Sequence, residues 1–447
     1  MLTPGHWTFL IFVILIITAL AYRKQPVIAA AIGLFAVGLM QEYSISGAIQ
    51  VSFRAVSLAT RNLLSVILLI GMVVALSDLM QKTKADLILT APLRKLRKPV
   101  HIYWIGGMVM WGLTLLLWPT PAVTLLGAVL VPTFKKIGIN PLGIAVSLTI
   151  FGEGLGLSGD FIIQGAPSVL SRATGISVAK ILQVSFPLVL ISGLTAAVIG
   201  YWTVFRLTKQ TVLFEPVELY EAQYNSLAKV SAGLIAVSYA LTVFAIVWWQ
   251  VRGEAASAIT GGVTLLVITV ISILKDKNKV YSTFVEYIKN GLKFSMGVFA
   301  PVVIMSGFFF MGTQAGAHEI LMLNGSGYFA DFATEISTRF FLNKWNIGLI
   351  IMIAAILGAL DGSGFSAIPL AGGIAVALSQ VVHLPAVQFA VLGQVVGIWT
   401  GAALVPWGFS AVTAAVTGVE AMKLARISFP AYLAAIFAAY FWTMLNV

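Results

Sequence analysis

The sequence contains no cysteine and few charged side chains. Charged residues make up 10% of its 447 positions, while hydrophobic residues make up 59%. Because an ordinary soluble domain carries about a quarter charged residues, this composition excludes a soluble globular protein. The absence of cysteine excludes disulfide bonds and thiolate metal ligands. The four histidines, His6, His101, His318 and His383, show no ligand spacing, so neither a metal site nor a cofactor is expected.

Long apolar runs recur along the whole chain, for example at 9–21, 63–76 and 230–249. A helix that crosses a bilayer needs about 20 mostly apolar residues, and the segments that contain these runs are long enough. The first run has no basic stretch before it and no convincing cleavage site after it. It is therefore predicted to be a retained helix and not a signal peptide.

The basic residues lie between the apolar segments, although a formal net charge of +11 could suggest nucleic-acid binding. Lysine and arginine residues in short loops between apolar segments indicate the cytoplasmic side of a membrane, whereas a nucleic-acid-binding protein carries them together on one soluble face. The clusters are 82–99, Arg23 with Lys24, Lys135 with Lys136, Arg206 with Lys209, 275–279, and Lys423 with Arg426. Placing them all in the cytoplasm puts both termini outside, with the first spans at about 7–22, 27–40 and 62–80.

An apolar stretch at about 101–135 lies between two cytoplasmic clusters and is interrupted by Trp-Pro-Thr-Pro-Ala at 118–122. If both flanks are cytoplasmic, the stretch must enter and leave by the same face. Such a re-entrant hairpin is tolerated where protein or a cavity surrounds its tip. The alternative is two ordinary short spans.

The chain also contains an internal repeat, because 174–187 matches 417–430 at an offset of 243 residues and 139–148 matches 383–392. We therefore predict a first repeat at 1–210, a cytoplasmic linker at 211–227 and a second repeat at 228–447. Five spans and one hairpin in each half place the second copy upside down in the membrane. The sequence thus predicts an all-α polytopic membrane protein with about ten spans and two re-entrant hairpins in inverted repeats, an architecture typical of secondary transporters. The second hairpin, at about 346–380, would open to the outside.

Glycine and proline interrupt both hairpin tips, 118–124 and 361–366, and both broken spans, 151–172 and 393–413. Such breaks free backbone groups, and the N-termini of half-helices suit an anion. Acidic residues inside spans are functional candidates by default. Glu153, Asp160 and Asp361 are therefore candidates for binding a coupling ion. The alternatives are a buried structural acceptor for Asp361 and helix caps for the other two.

The broken spans carry Gly-Ala-Pro-Ser at 165–168 and Pro-Trp-Gly-Phe-Ser at 406–410, each followed by Thr-Gly and Ser-Phe-Pro. With the paired hairpins, this pattern resembles the ion transporter superfamily, which includes gluconate permeases and carriers of C4-dicarboxylates and citrate. The resemblance implies a homodimer that carries an organic anion with protons or sodium by an elevator movement of the hairpins and broken spans. By position, the resemblance implies that the tips 120–124 and 363–366 and the breaks 165–168 and 407–410 line the substrate and the ion. The predicted substrate contacts at and near these places are Thr120, Thr124, Gln164, Ser168, Arg172, Ser363, Ser366, Thr400, Ser410 and Thr413.

The second tip departs from the sodium-coupled dicarboxylate members of that superfamily, which have Ser-Asn-Thr at both tips. Neither tip contains asparagine here, and the second begins with Asp361. A buried carboxylate can bind and release a proton near neutral pH, so this departure favours proton coupling, with sodium as the alternative. Arg172 could pair with a substrate carboxylate or could be an exposed loop arginine.

Two other classes fit the sequence less well. A channel would need a continuous polar pore or a ring of charges. A membrane-embedded hydrolase would need paired catalytic groups at matching depth, and His383 is the only histidine near the tips. We therefore expect no enzyme activity. The expected partners are a small organic anion, the lipid bilayer of the cytoplasmic membrane and a second copy of the chain, and no nucleic acid.

Overall fold

The computed structural model describes residues 2–22, 24, 26–96, 98–136, 141–207, 225–276, 279–325 and 327–447. Within these ranges every regular element is a helix, which confirms the predicted fold class. The α-helices of eight or more residues are α1 Pro4–Ala21, α2 Val27–Glu42, α3 Ile45–Thr83, α4 Gly107–Leu117, α5 Pro119–Lys136, α6 Pro141–Leu148, α7 Gly165–Thr174, α8 Val178–Leu207, α9 Ser226–Trp248, α10 Glu254–Lys275, α11 Val280–Phe310, α12 Gln314–Leu321, α13 Tyr328–Arg339, α14 Lys344–Gly358, α15 Ala367–Val381, α16 Ala386–Ile398, α17 Ser410–Thr417 and α18 Ala421–Asn446. Most of the predicted linker lies outside the described residues.

The predicted spans correspond to helices of membrane-spanning character. In the described part of the chain, eight helices are long and apolar enough to cross a bilayer, and α1 and α2 are shorter apolar helices. The predicted third span, at about 62–80, lies within α3, which begins earlier, at Ile45, and continues for 39 residues. Its start is set by Ser44, whose side chain accepts a hydrogen bond from the amide of Gly47 at 3.0 Å. This polar cap precedes the apolar window that marked the span.

The long helices α3 and α11 pack against each other at glycine positions. A Cβ atom added at Gly291 of α11 would lie 2.0 Å from the carbonyl oxygen of Gly71 in α3. Small residues at such a crossing allow two helix backbones to approach closely, as is common between membrane helices. The two helices therefore form a tightly packed pair that joins the first half of the chain to the second.

Both predicted hairpins are present as two helices joined by a sharp break. In the first, α4 and α5 meet at Trp118, whose φ is +68°. In the second, α14 and α15 are joined by residues 359–366. The two tips meet inside the protein, where the ring centroids of Trp118 and Phe365 lie 5.5 Å apart and both side chains are buried. Protein thus surrounds both breaks, as re-entrant hairpins require.

Each half also contains a span that is broken after a π-helical segment. Helix α6 continues into a π-helix at Thr149–Gly156, and α16 continues into one at Trp399–Leu404. A break follows each π-helix, and the chain then resumes as α7 or α17. A π-helical segment inside an α-helix often lies at a functional site. In the order of the helices named above, each of the two segments follows a pair of helices and precedes a short helix and then a long one.

The predicted orientation can be tested with single cysteines, because the chain has none of its own. Lys279 and Asn324 are exposed and lie on either side of α11, a helix of 31 residues. We expect Asn324→Cys to react with an impermeant maleimide on intact cells, and Lys279→Cys to react only in inverted vesicles. Labelling of both cysteines from the same side would contradict the inverted topology.

Candidate functional site

The hairpin tips and broken spans converge at the centre of the fold. Besides Phe365, the ring of Trp118 contacts Phe409, which lies in the break between Leu404 and α17, with centroids 6.4 Å apart. Phe365 in turn contacts Phe299 of α11 at 5.5 Å. Both tips therefore lie next to the second broken span and the central helix pair, which is where the sequence places the candidate site.

Glu153 is the most enclosed acidic residue of the site. It lies in the π-helix Thr149–Gly156 and is 0% exposed. Its Oε1 accepts a hydrogen bond of 2.5 Å from the hydroxyl of Thr413, which belongs to α17 in the second half of the chain. Its other carboxylate oxygen has no hydrogen-bond partner among the described residues. The buried carboxyl group of Glu153 therefore has one hydrogen bond, which joins the first half of the chain to the second.

Two side chains that pack next to Glu153 also have buried polar atoms. Among the described residues, the indole nitrogen of Trp399 and the hydroxyl of Thr114 have no hydrogen-bond partner. The ring of Trp399 packs on the backbone at Gly154, where an added Cβ would lie 2.2 Å from it. The hydroxyl of Thr114 is 3.1 Å from the Cβ position at Gly152. Thr114 of the first hairpin and Trp399 of the second broken span therefore pack against the two glycines that flank Glu153 in the sequence.

Asp160 caps the second part of the first broken span. Its carboxylate accepts hydrogen bonds from the amides of Gln164 at 3.1 Å and Ala166 at 2.9 Å. Its own φ is +41°, a left-handed conformation that turns the chain at the break. These contacts are those of a helix cap, the alternative to ion binding that the sequence left open for Asp160. The amides that begin α7, which the sequence suggested for an anion, are occupied by this carboxylate.

Three predicted substrate contacts, Gln164, Ser168 and Arg172, bind protein groups in this structure. The side-chain oxygen of Gln164 accepts a hydrogen bond of 2.6 Å from the amide of Gly253, in the turn between α9 and α10. Ser168 donates to the carbonyl of Gln164 at 2.6 Å. Arg172 forms an ion pair with Glu254 and donates to the carbonyls of Arg61 and Asn62. Gln164 and Arg172 thus attach the first broken span to α3 and to the start of α10.

The second tip is organised around Asp361. Its carboxylate accepts hydrogen bonds from the amide of Ser363 at 2.9 Å, from the Ser363 hydroxyl at 2.8 Å and from the Ser366 hydroxyl at 2.6 Å. The tip also borders a cavity of about 450 Å³, whose wall includes Asp361, Ser363, Trp407 and Lys24. The tip serines predicted to contact substrate therefore bind Asp361, and Ser363 also faces a cavity that contains a basic side chain.

The remaining predicted contacts are hydroxyls on helices. Thr124, Thr400 and Ser410 each donate to a backbone carbonyl four or five residues earlier, at 2.8–2.9 Å. The hydroxyl of Thr120, at the first tip, is buried and has no partner among the described residues. Sequence reasoning missed Thr114, Trp399 and Lys24. Trp399 offered a signal, since it is a tryptophan in the middle of a broken span and not at a membrane interface.

Paired hairpins and broken spans around a buried centre define a polytopic helical protein with a membrane-transporter fold. The structure is similar to that of the YdaH transporter from Alcanivorax borkumensis, with a TM-score of 0.57 and 12% identity, over 98% of this chain and 97% of that one. No family model matches the sequence. The chain is 33% identical over 441 residues, 95% of each protein, to the "Uncharacterized membrane protein YhfA" of Bacillus subtilis (strain 168). It belongs to the YhfA family.

Proposed function

We propose that this protein is a secondary transporter of the ion transporter superfamily that moves a small organic anion together with protons. The observation that carries the proposal is the contact between Glu153 and Thr413. An ionised carboxylate is costly inside a membrane protein unless a cation or several hydrogen bonds compensate for it. Glu153 has one hydrogen bond and no basic side chain within ion-pairing distance among the described residues. A bound proton removes this cost.

The anionic substrate is supported by the cavity at the second tip. Lys24 supplies a positive charge there, and Ser363 supplies a hydroxyl beside the break. A carboxylate group of a small substrate is complementary to the Lys24 ammonium group, and it would accept the Ser363 hydroxyl hydrogen bond in place of the Asp361 carboxylate, which also lines the cavity. The cavity of about 450 Å³ lies within the usual size range of small-molecule sites, about 300–1,000 Å³. We place the substrate between this tip and the second broken span, and we assign no enzyme activity to the protein.

The transport movement is proposed to be of the elevator type in a homodimer. The hairpins and broken spans contact one another through Trp118, Phe365 and Phe409 and would move as one body. The paired helices α3 and α11 would stay fixed. In this arrangement Gln164 and Arg172, which bind the α9–α10 turn and α3, hold the moving body in the state described here, and their contacts must break during the cycle.

The test is uptake by proteoliposomes that contain the purified protein. Radiolabelled monocarboxylates, dicarboxylates and sugar acids are supplied with an inward proton gradient and, separately, with an inward sodium gradient. We expect at least one anion to accumulate under the proton gradient and a protonophore to abolish the accumulation. Accumulation under the sodium gradient alone would show that the coupling ion is sodium and not the proton. If none of the anions were taken up, the proposed substrate class would be contradicted.

A further inference from the structure

A second cavity, separate from the proposed transport site, lies between α1, α13 and the arms of the second hairpin. Its volume is about 680 Å³. Phe9 and Val13 form one wall, and Leu370 and Ile374 of α15 form the opposite wall. Apart from Glu335 and Arg339 the lining is apolar. Because the interior offers no hydrogen-bonding side chain, its occupant must be mainly hydrocarbon.

Helix α13 supplies part of the lining of this groove and is amphipathic. Phe329, Phe332 and Ile336 line the groove. They are three and four residues apart and therefore lie on the same face of the helix. Asp331, on another face, accepts a hydrogen bond of 2.8 Å from Nε2 of His6, whose Nδ1 accepts from the amide of Thr3, and this contact attaches α13 to the start of α1. A short helix with one apolar and one polar face is typical of the plane of the membrane interface.

Exposed tryptophans on the helices that line the groove indicate its depth in the membrane. Trp7 lines the groove and is 53% exposed, and Trp345, near the start of α14, is 44% exposed. Such aromatic side chains are enriched where the lipid headgroups begin. The mouth therefore lies at headgroup level, and the apolar interior extends from it into the hydrocarbon region. This position favours a lipid over a soluble ligand.

The two charged residues of the groove lie together on α13. The Arg339 side chain is 70% exposed and donates twice to Glu335 Oε1, at 2.6 Å through Nη2 and at 3.1 Å through Nε. A guanidinium group binds phosphate with directed hydrogen bonds. A phospholipid fits this pattern, because it places its phosphate beside an arginine and its acyl chains in an apolar groove.

We propose that the groove binds one phospholipid of the surrounding leaflet, with its phosphate at Arg339 and an acyl chain between α1 and α15. The lipid then fills the space between a helix near the N-terminus and an arm of the hairpin whose tip holds Asp361. Removing it would leave an apolar void beside that arm. The site is independent of the substrate and of the coupling ion.

Native mass spectrometry of the full chain, purified in mild detergent and supplied with dioleoyl phosphatidylglycerol, tests the proposal. Ile336→Trp fills the groove, and Arg339→Gln removes the phosphate contact. Val237→Trp is the matched control, since Val237 is 58% exposed on α9, away from the groove. We expect the unchanged protein and Val237→Trp to retain one tightly bound lipid, Ile336→Trp to lose it, and Arg339→Gln to retain it several-fold less.

Equal lipid retention by all four proteins would overturn the proposal, because it would indicate only general coating by lipid. Loss of the bound lipid on dimerisation would also overturn it, because a second copy would then cover the groove. If Ile336→Trp lowers the melting temperature, lipid retention by Arg339→Gln is the result that tests the proposal. Arg339 is exposed, so its replacement does not alter the packing of the groove.

Discussion

Glu153→Gln is expected to abolish accumulation of the substrate driven by a proton gradient while leaving exchange of labelled for unlabelled substrate measurable. Glutamine has nearly the same size, and its side-chain oxygen can still accept the hydrogen bond from Thr413. It cannot take up or release a proton, so the coupling is lost while the packing of the site is kept. Uptake and exchange are measured in the same proteoliposomes at equal amounts of protein.

Asp361→Asn and Asp160→Asn are the matched comparisons for this result. The sequence favours Asp361 as the coupling residue, whereas its three close hydrogen bonds resemble those of a structural acceptor. We expect Asp361→Asn to lower the transport rate and Asp160→Asn to lower the yield of folded protein, with uphill uptake retained in both. Uphill uptake that survives in Glu153→Gln but disappears in Asp361→Asn would move the coupling site to the second tip.

The second large effect is expected from Gly291→Ala, a change of one methyl group. The added Cβ would lie 2.0 Å from the carbonyl oxygen of Gly71 and 3.0 Å from the amide nitrogen of Ala75. Both atoms belong to the backbone of α3, so the two helices must separate. Overpacking of this kind costs about 1–3 kcal/mol or more. We expect a lower melting temperature and a smaller monodisperse fraction in size-exclusion chromatography.

Gly297→Ala is the control, because Gly297 lies on the same helix and no atom would come within 4 Å of its added Cβ. Alanine is the better helix former by about 1 kcal/mol, so this variant should melt at the same temperature as the unchanged protein or slightly higher. If Gly291→Ala melted together with Gly297→Ala, the close packing of α3 and α11 would be contradicted.

The contacts of the acidic residues show where sequence reasoning reached its limit. The sequence singled out Glu153, Asp160 and Asp361 because they are acidic residues in or beside glycine-rich interruptions of apolar segments. Their partners differ in a way that composition does not reveal. Asp160 and Asp361 bind amides or hydroxyls within six residues of themselves, whereas Glu153 binds Thr413, which is 260 residues away.

The sequence by itself determined the class of fold, the positions of both hairpins and the breaks in both long spans. The sequence is informative there because a helix that crosses the bilayer needs an apolar segment of sufficient length. Polar residues, glycine and proline inside such a segment can therefore be recognised directly. Only the tertiary structure decided that Trp118 meets Phe365, that Gln164 and Arg172 bind protein, and that Glu153 faces the second half of the chain. Those pairings depend on how helices cross and rotate against one another, and packing between distant segments sets that geometry.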